Sequence, residues 1–226
     1  MFNYSVNINS DNSLIIEFKG EISLELTRFI LGCKQNIEQA QLTGIIETVP
    51  AYNSLLAIFK PLEWEPVQTS STIEKLLSSA KAVETSDSEK HIIPVCYDAS
   101  LAPDLEYVAQ RTNLSVKEVV NLHTANQYPV YMLGFLPGFL YLGGLNPKLH
   151  CTRRDDPRAK VEAGSVAIGG EQTGIYPIDS PGGWNIIGKT PKRIFDITKN
   201  KPAIAKPLDT IQFTSISLDE FNSYEH

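Results

Sequence analysis

Gly134-Phe135-Leu136-Pro137-Gly138-Phe139-Leu140-Tyr141-Leu142-Gly143-Gly144 opens the region that decides the fold class. Eleven of the chain's fourteen glycines fall between positions 134 and 188, separating short β-type runs at 130–133, 165–168 and 184–187. A long helix needs an apolar stripe recurring every three or four residues, and no convincing one appears beyond Tyr128. Frequent turns between short runs predict a β-barrel or sandwich for this part of the chain. Working back, residues 92–97 read as a strand followed by two short helices. One begins near Asp104, and the other is capped at Ser115, with Glu118 completing a Ser-x-x-Glu box.

The first ninety or so residues have a different rhythm. Residues 14–18 form a short β-type run, and Leu26, Phe29, Ile30, Cys33 and Ile37 lie at helical spacing. Gly44 breaks that stripe before two strands at 45–49 and 55–59. A second helix is expected from Ser71, with Glu74 as its capping partner, burying Ile73, Leu76, Leu77 and Ala80. The order β-α-β-β-α predicts a small sheet with both helices on one face. The polar run 84–90 reads as a linker. The expectation is an α+β fold, with a small α+β domain at 1–88 and a mostly β domain at 89–226.

Composition narrows the function. Of 226 residues 42% are hydrophobic, enough for packed cores, and the formal net charge of -6 argues against nucleic acid as a partner. No apolar run reaches the roughly 18 residues of a membrane span. The first residues lack the pattern of a signal peptide. Cys33, Cys96 and Cys151 form no CxxC and leave one unpaired, so a disulfide framework is not expected. A cytoplasmic protein is the consistent expectation.

Several motifs invite a chemical reading. Gly183-Trp184-Asn185-Ile186-Ile187-Gly188-Lys189-Thr190 matches the P-loop expression G-x-x-x-x-G-K-[ST], but its filling is strand-like and no helical stripe follows, so chance mimicry is expected. The loop containing Phe135, Pro137, Gly138, Phe139 and Tyr141 suits a pocket mouth; the same glycines also suit a tight barrel corner. Arg153, Arg154, Arg158 and Lys160 form a basic stretch whose guanidinium forks fit carboxylate or phosphoryl oxygens, although Asp155 and Asp156 fit a solvated charged loop equally. In the segment through Pro181, Gly182, Gly183 and Trp184, Asp179 is either a general base or a turn cap. His91, His123, His150 and His226 share no metal-ligand spacing with the cysteines, so no metal site is expected.

Taken together, P-V-C-Y-D (94–98), L-H-T (122–124), G-F-L-P-G-F-L-Y-L-G-G-L (134–145), A-G-S-V-A-I-G-G (163–170), T-G-I-Y-P (173–177) and S-P-G-G-W-N-I-I-G-K-T-P (180–191) resemble the KipI family. That family includes the B-type subunits of 5-oxoprolinase and the regions once called allophanate hydrolase subunit 1. The resemblance covers essentially the whole chain. It implies a cyclophilin-like β-barrel after a small α+β domain, a KipA-like partner (the C-type subunit), and an A-type subunit that handles ATP. ATP is then a co-substrate held by a partner, with no cofactor bound by this chain alone. The implied reaction converts 5-oxoproline, water and ATP to glutamate, ADP and phosphate. Within it, Arg154 and Arg158 are expected to hold substrate oxygens, the two aromatic Gly-Pro loops to form a wall, and Asp179 to serve as the catalytic carboxylate. Two alternatives accompany the family: an inhibitor that binds a sensor histidine kinase, and part of a carboxyl-transfer site of the urea-degrading type. Three positions depart from the family pattern: Thr152 and Glu162, where proline is common, and Lys189, where arginine is common.

Overall fold

A computed structural model describes residues 2–224. The chain forms two compact units, the first ending at Asp87 and the second starting at Ser88.

The first unit comprises β1 (Asn3–Ser10), β2 (Ser13–Lys19), α1 (Leu24–Gln39), β3 (Ile45–Pro50), β4 (Ser54–Phe59) and α2 (Pro66–Ser78). Its sheet is antiparallel throughout, in the order β1-β2-β4-β3. Period-two alternation sends Leu14, Ile16 and Phe18 of β2 and Leu55, Ala57 and Phe59 of β4 to one buried face. The helical stripe Leu26, Ile30, Cys33 and Ile37 joins them in a single core. Two elements differ from expectation. The strand β1 is an additional edge strand, hidden in the sequence by its Asn and Ser residues, which are poor β-formers. Helix α2 starts at Pro66, a residue suited to a first helical turn, so Ser71 lies inside it and bonds back to the Val67 carbonyl at 3.2 Å instead of capping.

The second unit contains β5 (Lys90–Cys96), α3 (Leu105–Thr112), α4 (Val116–Ala125), β6 (Gln127–Leu133), β7 (Leu140–Leu142), β8 (Arg158–Val161), β9 (Ser165–Gly169), β10 (Gln172–Ile175), β11 (Ser180–Gly182), β12 (Asn185–Lys189), β13 (Thr210–Ile216) and α5 (Leu218–Asn222). Seven of these strands close a barrel in the order β10-β7-β6-β13-β5-β12-β9, with β9 pairing back to β10. A small α+β unit followed by a closed barrel is the fold class the sequence predicts. The pair β5–β13 is parallel, in register from Thr210 opposite Lys90 to Ile216 opposite Cys96. The Ser115–Glu118 capping box forms as expected, while α5, capped by Ser217 and Glu220, is a short helix the glycine-rich pattern does not announce. The P-loop lookalike is barrel strand β12, with no helix after it.

The barrel interior is closed chemically as well as sterically. His123 is fully buried, stacked on Phe213 with ring centroids 4.5 Å apart. Thr173 donates its hydroxyl to the Ala167 carbonyl, so it accepts from His123 Nε2 at 2.9 Å. The other ring nitrogen, Nδ1, must then accept from the Tyr97 hydroxyl at 2.7 Å. Burial pushes the imidazole down from 6.5 to about 3, so it is neutral and satisfied. Below pH 6.5 the unfolded chain takes up a proton that folded His123 refuses, and stability falls as the pH drops toward 3. Urea unfolding at pH 7 and pH 5, followed through Trp184 in a Trp64→Phe background, checks this. Acidification is expected to cost the wild-type barrel about 2 kcal/mol more than it costs a His123→Gln variant.

Candidate functional site

On β9 the side chains of Val166 and Ile168 enter the barrel, so Ala167 faces outward, where a second, smaller core forms with Phe139, Val161, Tyr176, Trp184 and Ile186. The outward face of the same strand ends in Gly169, and the Trp184 indole rests against its backbone. A Cβ at Gly169 would lie 2.5 Å from the ring. The loop expected to hold a pocket mouth arrives from the other side. Phe139 N–H donates to the Leu136 carbonyl at 3.0 Å across a turn with Pro137 and Gly138 at its centre. At φ +80° Gly138 takes the left-handed place such a turn demands, and the Phe195 ring occupies the space a side chain would need.

These two loops bring the aromatic residues together. Phe139 meets Trp184 edge-on at 5.6 Å and Tyr176 at 5.2 Å, and Tyr141 stands 4.8 Å from Phe139 and 6.1 Å from Trp184. Phe135, 61% exposed, reaches over Phe139 at 5.6 Å. Burial raises the Tyr141 and Tyr176 hydroxyls, so both remain protonated donors at neutral pH. Gly182, on the β8–β11 ribbon, lies against the Tyr176 ring, while Pro181 beside it is exposed. The Gly183 carbonyl accepts from Arg154 N–H at 2.8 Å, tying the basic stretch to the Trp184 loop.

The arginines are organised by a residue the motif search reads only as a helix start. Asp104 precedes α3 but its side chain makes no cap; it is buried, 3% exposed. Its Oδ1 accepts from Arg154 Nη1 at 3.0 Å and from Arg158 Nη2 at 2.7 Å, and its Oδ2 accepts from Ile186 N–H at 2.7 Å. One carboxylate therefore faces two guanidinium groups and leaves a positive charge in excess. Arg158 Nη1 is buried without a partner, and Arg153 lies over the Trp184 ring at 5.6 Å. The result is a largely buried aromatic wall, open to solvent at Phe135 and part of Tyr141, with cationic donors at its edge that suit a small anion.

Asp179 stands apart from this arrangement. It is half exposed, paired with Lys160 at 2.8 Å, and accepts from Ala163 N–H at 2.9 Å. The Lys160 ammonium and that N–H hold its carboxyl below the usual range, which leaves it a weak base. It borders a groove of about 640 Å³ with Ile178, Ile194 and Phe195. Two of the departures from the family pattern, Glu162 and Lys189, form an ion pair with each other. The third, Thr152, has its carbonyl bound by the Nδ2 of buried Asn185 at 2.9 Å. Sequence reasoning missed Asp104, and it quoted Arg153 and Tyr176 within candidate segments without singling them out as site residues. Asp104 carries no local signal, because its partners lie fifty or more positions away.

Among the described residues no group of three His, Cys, Asp or Glu side chains is placed to hold a metal ion, and no helix is long and apolar enough to cross a membrane. His226 lies outside the described residues. Comparison with known proteins gives a consistent result. The family described as carboxyltransferase domain, subdomain C and D, matches residues 4–205. The 5-oxoprolinase B subunit of Bacillus subtilis (strain 168) is 37% identical over 98% of this chain and 97% of its own length. A conserved uncharacterized protein from Pyrococcus horikoshii superposes with a TM-score of 0.58 at 40% identity, covering 96% of this chain and all of that one. The Kluyveromyces lactis urea amidolyase shares the fold, with a TM-score of 0.81 over 97% of this chain and 15% of that one, at 20% identity. The match along nearly the full length of both chains places this protein in the family of 5-oxoprolinase B subunits, among the carboxyltransferase C and D subdomains.

Proposed function

We propose that this chain is the B subunit of a cytoplasmic, ATP-dependent 5-oxoprolinase and works only with A- and C-type partners. The observation that carries the proposal is the near full-length match to a 5-oxoprolinase B subunit. The site agrees with it chemically. 5-Oxoproline is a small planar lactam bearing a carboxylate, and exposed Phe135 and half-buried Tyr141 offer apolar surface at the edge of the aromatic cluster, with exposed Arg153 beside it. A lactam carbonyl is a poor electrophile. Phosphoryl transfer from ATP to its oxygen activates the ring carbon, one water adds there and the C–N bond opens to give the acyl phosphate of glutamate, and a second water cleaves that acyl phosphate to glutamate and phosphate. ATP is supplied from a partner. In this scheme exposed Arg153 binds anionic oxygen, the nearby Arg158 adds positive charge, and Trp184, Phe139 and Tyr141 exclude bulk water. Arg154 and the second nitrogen of Arg158 are engaged by Asp104, so their task is to hold the site in register.

A second reading has one supporting observation. The family match is to a carboxyltransferase domain, so the same site would suit half of a carboxyl-transfer centre. A biotin-carrying partner that co-purifies with the chain would favour it.

Glutamate release from 5-oxoproline and ATP, assayed with this chain alone and with A- and C-type partners, tests the proposal. Activity is expected only in the complete mixture; none in a mixture whose partners work with another B-type chain would overturn it. Within that complex Trp184→Ala is expected to lower kcat/KM by about tenfold or more, because it removes the centre of the wall. Asp179→Asn is expected to keep activity within about threefold, since its carboxylate is already engaged by Lys160 and Ala163. A loss in kcat of about a hundredfold, with KM unchanged, would instead make Asp179 the base.

A further inference from the structure

The connection from β12 to β13 carries an unusual charge. Residues 190–206 hold five of the chain's twenty Lys and Arg residues, Lys192, Arg193, Lys199, Lys201 and Lys206, and one of its 26 Asp and Glu residues, in a protein of net charge -6. The connection folds back on itself as a narrow finger. Phe195 bridges Ala203, Asp196 N–H donates to the Pro202 carbonyl at 2.8 Å, and Ile204 N–H donates to the Ile194 carbonyl at 2.9 Å. At its tip Ile197 is 80% exposed. Arg193 pairs weakly with Asp196 at 3.3 Å, but among the described residues no carboxylate forms a salt bridge with Lys192, Lys199 or Lys201. Those cations border a groove of about 510 Å³. Lys192 and Arg193 also line a second, more apolar groove of about 640 Å³, walled by Ile178, Ile194 and Phe195. Phe195 rests on Gly138, so the base of the finger is continuous with the loop that carries Phe135 and Phe139.

We propose that this finger is the docking element for a partner protein of the complex, and that its occupant is an acidic segment presenting an apolar anchor beside its carboxylates. Charge complementarity points to the sign, because cations concentrated on an otherwise acidic chain, of which Lys192, Lys199 and Lys201 form no salt bridge among the described residues, attract acidic surface and repel a second copy's basic finger. The exposed isoleucine and the long groove point to a polypeptide. A small phosphate would call for convergent buried donors, whereas here the cations are spread along exposed backbone. Docking at the finger would also cover Phe135 and the open edge of the aromatic wall, which completes the site only in the complex. This inference rests on the reading of the chain as one part of a complex.

The test measures binding of the full chain to its C-type partner at low and moderate salt. Wild-type affinity is expected to fall as salt rises. The variant Lys192→Glu/Arg193→Glu/Lys199→Glu/Lys201→Glu is expected to lose about tenfold or more in affinity. A control with the same charge change at exposed sites elsewhere, Lys19→Glu/Lys75→Glu/Lys81→Glu/Lys117→Glu, is expected to bind as wild type. Ile197→Asp, which barely perturbs the charge balance, is expected to weaken binding at all salt concentrations, and thermal melts verify that each variant folds. If wild type assembles and the finger variants bind equally well, the proposal is overturned. Tight binding of inorganic pyrophosphate to the isolated chain, lost in the quadruple finger variant while assembly is unchanged, would overturn it in favour of a small-anion site. If wild type fails to assemble with any C-type partner, the underlying reading of the chain as part of a complex has failed.

Discussion

A single buried carboxylate holds the outer face of the barrel together. Asp104 receives two guanidinium groups and a backbone N–H, and its own N–H donates back to the Ile186 carbonyl at 2.9 Å. The start of α3 is thereby stitched to β12, and Arg158 at the start of β8 is stitched to both. Burying three charges costs desolvation that their mutual attraction offsets without a large surplus, so such a cluster specifies geometry more than it adds stability. Losing both arginines is another matter: Asp104 would then be an uncompensated buried charge, which costs about 3–5 kcal/mol. Because Trp184 lies between Gly183, bound to Arg154, and Ile186, bound to Asp104, the position of the indole follows from this node.

The aromatic wall then depends on absence of side chains. Trp184 can lie flat on the sheet only because Gly169 offers bare backbone and Gly174, paired opposite Ala167, leaves the neighbouring place open. Edge-to-face packing near 89° with Phe139 places the positive ring edge of one residue on the negative face of the other. Arg153 uses the remaining indole face. Glycines that look in sequence like turn punctuation therefore do two jobs, one at turns such as Gly138 and the other as seats for rings.

What could be read from the sequence follows the range of the interactions involved. A barrel or sandwich was legible because the strands are short and separated by glycine, with the resemblance to the KipI family choosing the barrel, and α1 was legible because its stripe is local. The α2 start was misplaced because a Ser-x-x-Glu match at Ser71 outcompeted Pro66, although the true start has no side-chain cap to announce it. The edge strand β1 carries only Tyr4, Val6 and Ile8 among Asn and Ser, too weak an alternation to stand out. At the site, the aromatic loops were found as compositional outliers, and the structure brings Phe135, Phe139, Tyr141 and Trp184 together. Asp104 was invisible because a single sequence shows no pairing between a carboxylate and arginines half a domain away. Asp179 attracted notice as a carboxylate in a rigid motif, yet its nearest partners, Lys160 and Ala163, are those of a turn anchor.

The closed interior constrains where chemistry can occur. Tyr97, His123 and Thr173 satisfy one another at the barrel centre, and the imidazole is held neutral, so nothing there is poised to react. Reactive potential lies on the outside, where one carboxylate faces two of three arginines and Phe135 projects into solvent. An anion held at that exposed edge would remain in contact with water unless another surface covered it. That requirement, arising from exposure and charge, gives a physical reason for such a chain to work as one component among several.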